Sequence, residues 1–307
     1  MKCDCISTAI RPSLDLVKAA ICAATVIGFS GLLANAMTVT PTFNSSITGS
    51  SDAAAIEGDI NSALTFYDQN FTNPITVKIA FSVTPTNSSA SYLGHSISTL
   101  YTPDYATYTA AMLANATKYS NSIEQTAYAN LQYGNDSSGS NSLLVTSANM
   151  RAITGNSAYA GGVNASGQVV SAGTTTGTYD GVITLNAADI SGFGGSGTTS
   201  PGRVIQHEVD EVLGIGGSGS TLGSSQQATT TGGNYGVTDL FRYSVNHTPS
   251  YTTSSNATSY FSINGGQTTY CQFQPKPGRP TDGRRLWRLE QRRQYRKLCA
   301  TGIYLCF

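Results

Sequence analysis

The sequence predicts an α+β fold in which a mixed, twisted sheet carries several helices, and three observations lead there. Residues 52–71 place Ile56, Ile60, Ala63, Leu64 and Tyr67 at helical spacing. Residues 75–83 follow, after the helix-stopping Pro74, and alternate apolar with polar as a strand does. Residues 201–213 then form the most strongly marked helix of the chain, with Ile205, Val209, Val212 and Leu213 on one face. Helices and strands are interleaved throughout, and Gly, Ser, Thr, Asn and Ala dominate a chain of which only 11% is charged. That composition suits a secreted, β-containing protein better than a cytosolic enzyme.

Taken in order, residues 1–36 read as a secretory signal peptide. Lys2, Arg11 and Lys18 supply its positive start, residues 19–33 its apolar stretch, and Ala34-Asn35-Ala36 its small-residue cleavage site. The apolar stretch is too short and too rich in small residues for a stable membrane span. Residues 37–269 form one domain, with no internal repeat and no linker that divides it. Beyond the helix and strand already named, residues 105–114 and 123–131 read as helices, and residues 143–146 and 182–185 as short strands. The stretch Tyr179–Asn186, just ahead of the 201–213 helix, reads either as an edge strand able to pair with an extended peptide or as an ordinary strand within a sheet. Residues 192–200 and 218–236 are Gly/Ser/Thr-rich loops, and residues 261–266 a strand plus turn.

Charge is unevenly spread although the formal total is zero. Between Met37 and Pro275 there are five basic and thirteen acidic residues, which argues against a nucleic-acid footprint. Cysteines occur only in the first 36 residues and after residue 270, so the body is no disulfide scaffold.

The chemistry concentrates on the 201–213 helix. Ser200 is a candidate N-cap, Pro201 suits the first turn, and Gly214 can end the helix in a left-handed conformation. Opposite the apolar face, His207 and Glu211 stand four residues apart and point the same way, with Glu208 beside them. Imidazole and carboxylate both ligate Zn²⁺, and one rigid helix presets the angle between them. Glu208 is then placed as the general base for water activated by the metal, as in H-E-x-x-H enzymes, although here the second histidine is replaced by Glu211. In the charged and aromatic cluster of residues 238–244, Asp239 is a candidate third ligand or else a cap. Tyr243 is a candidate donor to an oxyanion. His247 and His95 are alternative third ligands, the first in a polar turn.

Five segments, HEVDEVLG (207–214), DLFRYS (239–244), FSINGG (261–266), DGVITLN (180–186) and PTFNSSI (41–47), together resemble a family of secreted bacterial zinc metalloproteases. That family is zincin-like and often ends in a short PEP-CTERM sorting anchor. The resemblance spans most of residues 40–267, and the helix with DLFRYS is its most specific part. It implies a zincin-like fold, export, zinc at His207 and Glu211, Glu208 as base, and a role for the Asp239 segment. Metzincins carry a third ligand after the helix; this chain has Gly217 at the matching position.

After residue 269 the composition turns Arg-rich, with nine basic and two acidic residues from Lys276 onward and the only Trp, Trp287. A basic arm for an anionic partner is one reading. The other is a frameshift product, because residues 270–276 and 284–289 can be back-translated so that a one-base shift spells Thr-Val-Asn-Phe-Asn-Gln and Gly-Asp-Tyr-Gly-Asp-Trp. The family pattern carries a similar pair of segments after its F-S-I-x-G-G. Residues 270–307 are therefore read as an aberrant tail, with the domain truncated at its C-terminal side.

The expectation is thus a secreted zinc-dependent endopeptidase acting on a peptide or protein substrate. The alternatives are a non-catalytic surface or matrix module and an inactive, frameshifted copy of the peptidase.

Overall fold

The computed structural model describes residues 37–131, 143–168, 178–215, 235–250 and 259–273. The signal stretch, the 218–234 loop and all of the tail beyond residue 273 lie outside these residues.

The principal sheet has four strands. β1 (Thr38–Phe43) runs parallel to β2 (Thr76–Val83), β2 parallel to β6 (Gly181–Leu185), and β3 (Gly94–Ser98) antiparallel to β6. The order β1-β2-β6-β3 makes this a mixed sheet in an α+β chain. Between these strands in sequence lie α1 (Ser45–Thr48), α2 (Ala53–Asn70), β4 (Leu100–Tyr101), α3 (Tyr105–Lys118), α4 (Ser122–Ala129), β5 (Leu143–Thr146) and α5 (Ser147–Thr154). After β6 come α6 (Pro201–Leu213), β7 (Tyr235–Gly236), a 3-10 helix (Val237–Phe241), β8 (Arg242–Val245), β9 (Thr248–Pro249), β10 (Ser259–Phe261) and β11 (Cys271–Phe273).

Alternation along the strands decides which face each helix covers. Val77, Ile79 and Phe81 of β2 and Ile183 and Leu185 of β6 point to one side. There they meet Ile56, Ile60, Leu64 and Tyr67 of α2 and Ile205, Val209, Val212 and Leu213 of α6. Each of these fully buried aliphatic side chains contributes about 1.5–3 kcal/mol, so the two helices are held chiefly by this layer. Gly181 lets α6 come close: a methyl on it would lie 2.4 Å from Cγ2 of Val212. The opposite face carries a small cluster of Ala80, Val182 and Val163 with Ile97 and Tyr179.

A second core joins α3, α4, β5, α5, the 3-10 helix and β10, through Tyr108, Met112, Leu143, Val145, Ile153, Leu240, Phe241 and Phe261. Ile215, just past α6, packs against both cores. A buried ionic node ties the parts together. Arg151 on α5 grips Asp180 at the start of β6 with two bonds, of 2.7 and 2.8 Å, while the Lys78 amide and the Ser147 hydroxyl donate to the same carboxylate. The Arg151 guanidinium also reaches the carbonyls of Thr76 and Tyr159, so each of its two terminal nitrogens donates to two acceptors.

Of the two readings of the 179–186 stretch, the ordinary sheet strand is the one found. It is not an edge: β6 is hydrogen-bonded to β2 on one side and β3 on the other. Its run Gly181–Leu185 is buried on both faces but for Thr184, as an interior strand should be. The strands at the two ends of the sheet are β1 and β3. The 3-10 turn and β8 replace an undifferentiated 238–244 cluster, and β11 pairs with β10 across residues 271–273, beyond the boundary expected at residue 269.

Candidate metal centre and its covering strand

α6 is bounded as the residues predict. Pro201 opens it, and Gly214 closes it at φ 84°, a value that only glycine adopts without strain. The amides of Gly214 and Ile215 bond back to Glu211 and Asp210 in a Schellman closure. Ser200 stands at the N-cap position with extended backbone, but its hydroxyl makes no capping bond. The helix is also pinned from behind: the Tyr67 hydroxyl donates toward the Gln206 carbonyl at 2.8 Å and the Asp210 carboxylate at 2.7 Å.

The front of α6 places His207 Nε2 3.4 Å from Glu211 Oε1, both side chains about a quarter exposed. Glu208 is instead buried, 3% exposed. What covers it is β3, which packs directly on α6. Gly94 lies so close that a methyl on it would come 2.5 Å from Glu208 Oε1 and 2.7 Å from its Cγ. Two residues on, the Ser96 hydroxyl donates to Glu211 Oε2 at 2.5 Å. Neither Gly94 nor Ser96 is singled out by the sequence reading. The signal that could have found them is the alternation in Gly94-His-Ser-Ile-Ser98, which puts small residues at every second position, as a strand face pressed on a helix requires.

The other candidate residues lie elsewhere. Asp239 is buried, and its Oδ2 accepts the Gly236 amide at 3.0 Å, capping the 3-10 helix. It also sits in the field of Arg242, whose pKa is lowered by burial and partly restored by the Asp239 charge. Tyr243 is buried, and its hydroxyl donates to the Asn130 carbonyl at 3.2 Å. His95 is exposed on β3, next to the Tyr92 ring. His247 adopts a left-handed φ of 57° in the β8–β9 turn, with Gln267 beside its ring. Among the described residues no three His, Cys, Asp or Glu side chains gather into a metal-binding group.

The donor chemistry of the His207–Glu211 pair fits two positions of a tetrahedral zinc ion. Both atoms are on one helix face, reachable from solvent, and Glu211 already has its other oxygen held by a hydroxyl. Glu208 is within the same turn but shielded.

Comparison with family models, with curated proteins and with solved structures gives no match. The site therefore rests on its own geometry. No helix among the described residues is long and apolar enough to cross a membrane.

Proposed function

We propose that this chain is an exported, zinc-dependent endopeptidase of zincin-like architecture, with its site on the front of α6 beneath β3. One observation supports the reading above the others: His207 and Glu211 present Nε2 and Oε1 3.4 Å apart, with the Glu208 carboxylate in the same helical turn. Zinc held by that pair would supply Lewis acidity, polarising the scissile carbonyl and acidifying water.

The rest is done by the chain's own groups. Glu208 takes the proton from the attacking water and passes it to the leaving amine. Its burial against Gly94 keeps bulk water from competing for that carboxylate. β3 supplies a docking rail. Its bonds to β6 fall at Leu93 and Thr99, which accept from Asn186 and donate to Asp180, so alternation turns the amides and carbonyls of Gly94, Ser96 and Ser98 the other way. An extended peptide adding to that side would lie along α6.

The test is Glu208→Gln, assayed with wild type on a fluorogenic peptide library in zinc-containing buffer. The expected result is unchanged zinc content with hydrolysis reduced by about 10²–10⁴-fold. Equal hydrolysis by both proteins would remove Glu208 from the role. Zinc without hydrolysis in the wild type would favour a non-catalytic secreted module.

A further inference from the structure

The strand covering the site touches both glutamates of the helix, and does so with alternate residues of one face. Gly94 meets Glu208 and Ser96 meets Glu211. Two residues along a strand advance about 6.8 Å and three along a helix about 4.5 Å, and the reach of two flexible glutamate side chains makes up the difference. We infer that β3 is a positioning element: Ser96 fixes the metal-ligating orientation of Glu211, and Gly94 fixes the place of Glu208. This rests on the metal reading above.

Ser96 acts through direction. A carboxylate has two oxygens, and rotation exchanges them. With Oε2 accepting the Ser96 hydroxyl at 2.5 Å, Oε1 is the oxygen left toward His207 Nε2. The hydroxyl thus selects one rotamer of Glu211 before any ion arrives, the service that hydrogen-bonding partners outside the coordination sphere give to metal ligands. Ser96 has no other described bond, so its role is undivided.

Gly94 acts through space. Any side chain there would occupy the volume that holds the Glu208 carboxylate and its Cγ. The clash is with Cγ, Cδ and Oε1 of Glu208 rather than with backbone, so Gly94→Ala must displace the Glu208 side chain. Ser98 provides an internal control, since it shares the face and its hydroxyl is buried without a hydrogen-bond partner.

The experiment measures zinc affinity of the full chain by chelator competition, for wild type, Ser96→Ala, Ser96→Thr and Ser98→Ala, with thermal melts in EDTA alongside. Ser96→Ala is expected to weaken zinc by about 10–100-fold. Ser96→Thr, which keeps the hydroxyl, restores most of that, and Ser98→Ala leaves it unchanged. The melts in EDTA should agree among the variants, which separates positioning from folding. Gly94→Ala gives the converse signature, with zinc affinity retained and kcat lowered. If wild type binds zinc and Ser96→Ala binds it equally well, the positioning role of Ser96 is overturned while the metal reading stands. If wild type binds none, the metal reading falls and takes this one with it.

Discussion

At the scale of single residues, the site divides into side chains whose chemistry is visible in the sequence and others whose contacts are not. His207, Glu208 and Glu211 are legible because helical spacing alone fixes their relative directions, and the geometry of α6 brings Nε2 and Oε1 within 3.4 Å. Asp239 is different. Residue type cannot distinguish a ligand from a cap, and its carboxylate accepts the Gly236 amide within the same 3-10 turn. Asp239→Ala is therefore predicted to keep zinc and to lose about 0.5–2 kcal/mol of stability, the usual worth of a cap. Zinc analysis and a denaturant melt of that variant separate the two roles, and loss of the metal would restore Asp239 as a ligand. Tyr243 is likewise committed to the Asn130 carbonyl inside the core, where it serves packing between β8 and the end of α4.

At the scale of elements, α6 is readable end to end because three independent signals agree: Pro201 at the start, one apolar stripe, and Gly214 at the close. β3 is hidden for the opposite reason. Its helix-facing residues are Gly94, Ser96 and Ser98, so the usual apolar alternation is missing from the strand that matters most to the site. The same blindness leaves β6 undecided between edge and interior strand in the sequence, because edge and interior are properties of neighbours rather than of the segment. What holds α6 in register with the sheet from behind is Tyr67, buried and bonded to the helix at both Gln206 and Asp210. Tyr67→Phe keeps the ring and deletes the hydroxyl. Its bond to a charged carboxylate sets an expected loss of about 1.5–3 kcal/mol, measured as a lowered denaturation midpoint at unchanged m. A midpoint indistinguishable from wild type would mean that packing alone sets the helix.

At the scale of the whole molecule, two cores are joined by an ionic node that no local pattern announces. Asp180 precedes β6, Arg151 lies on α5 twenty-nine positions earlier, and Lys78 contributes only its amide. Pairings of this kind depend on the completed topology, since a buried Arg and Asp in sequence look like any two surface charges. Asp180→Ala leaves the guanidinium in a largely buried place without its carboxylate, which predicts a loss of about 3–5 kcal/mol. A denaturation curve within 1 kcal/mol of wild type, on the order of an exposed pair, would show that water replaces the partner. The same topology sets the sheet, α6 and β3 into one assembly around the proposed zinc site. The most direct measurement is the metal content of the purified full chain by inductively coupled plasma mass spectrometry, beside His207→Ala. The expected result is close to one zinc per wild-type chain and essentially none in the variant, with both proteins folded by circular dichroism. A folded wild type that carries no zinc after incubation with the ion, or a variant that carries as much as wild type, would contradict it.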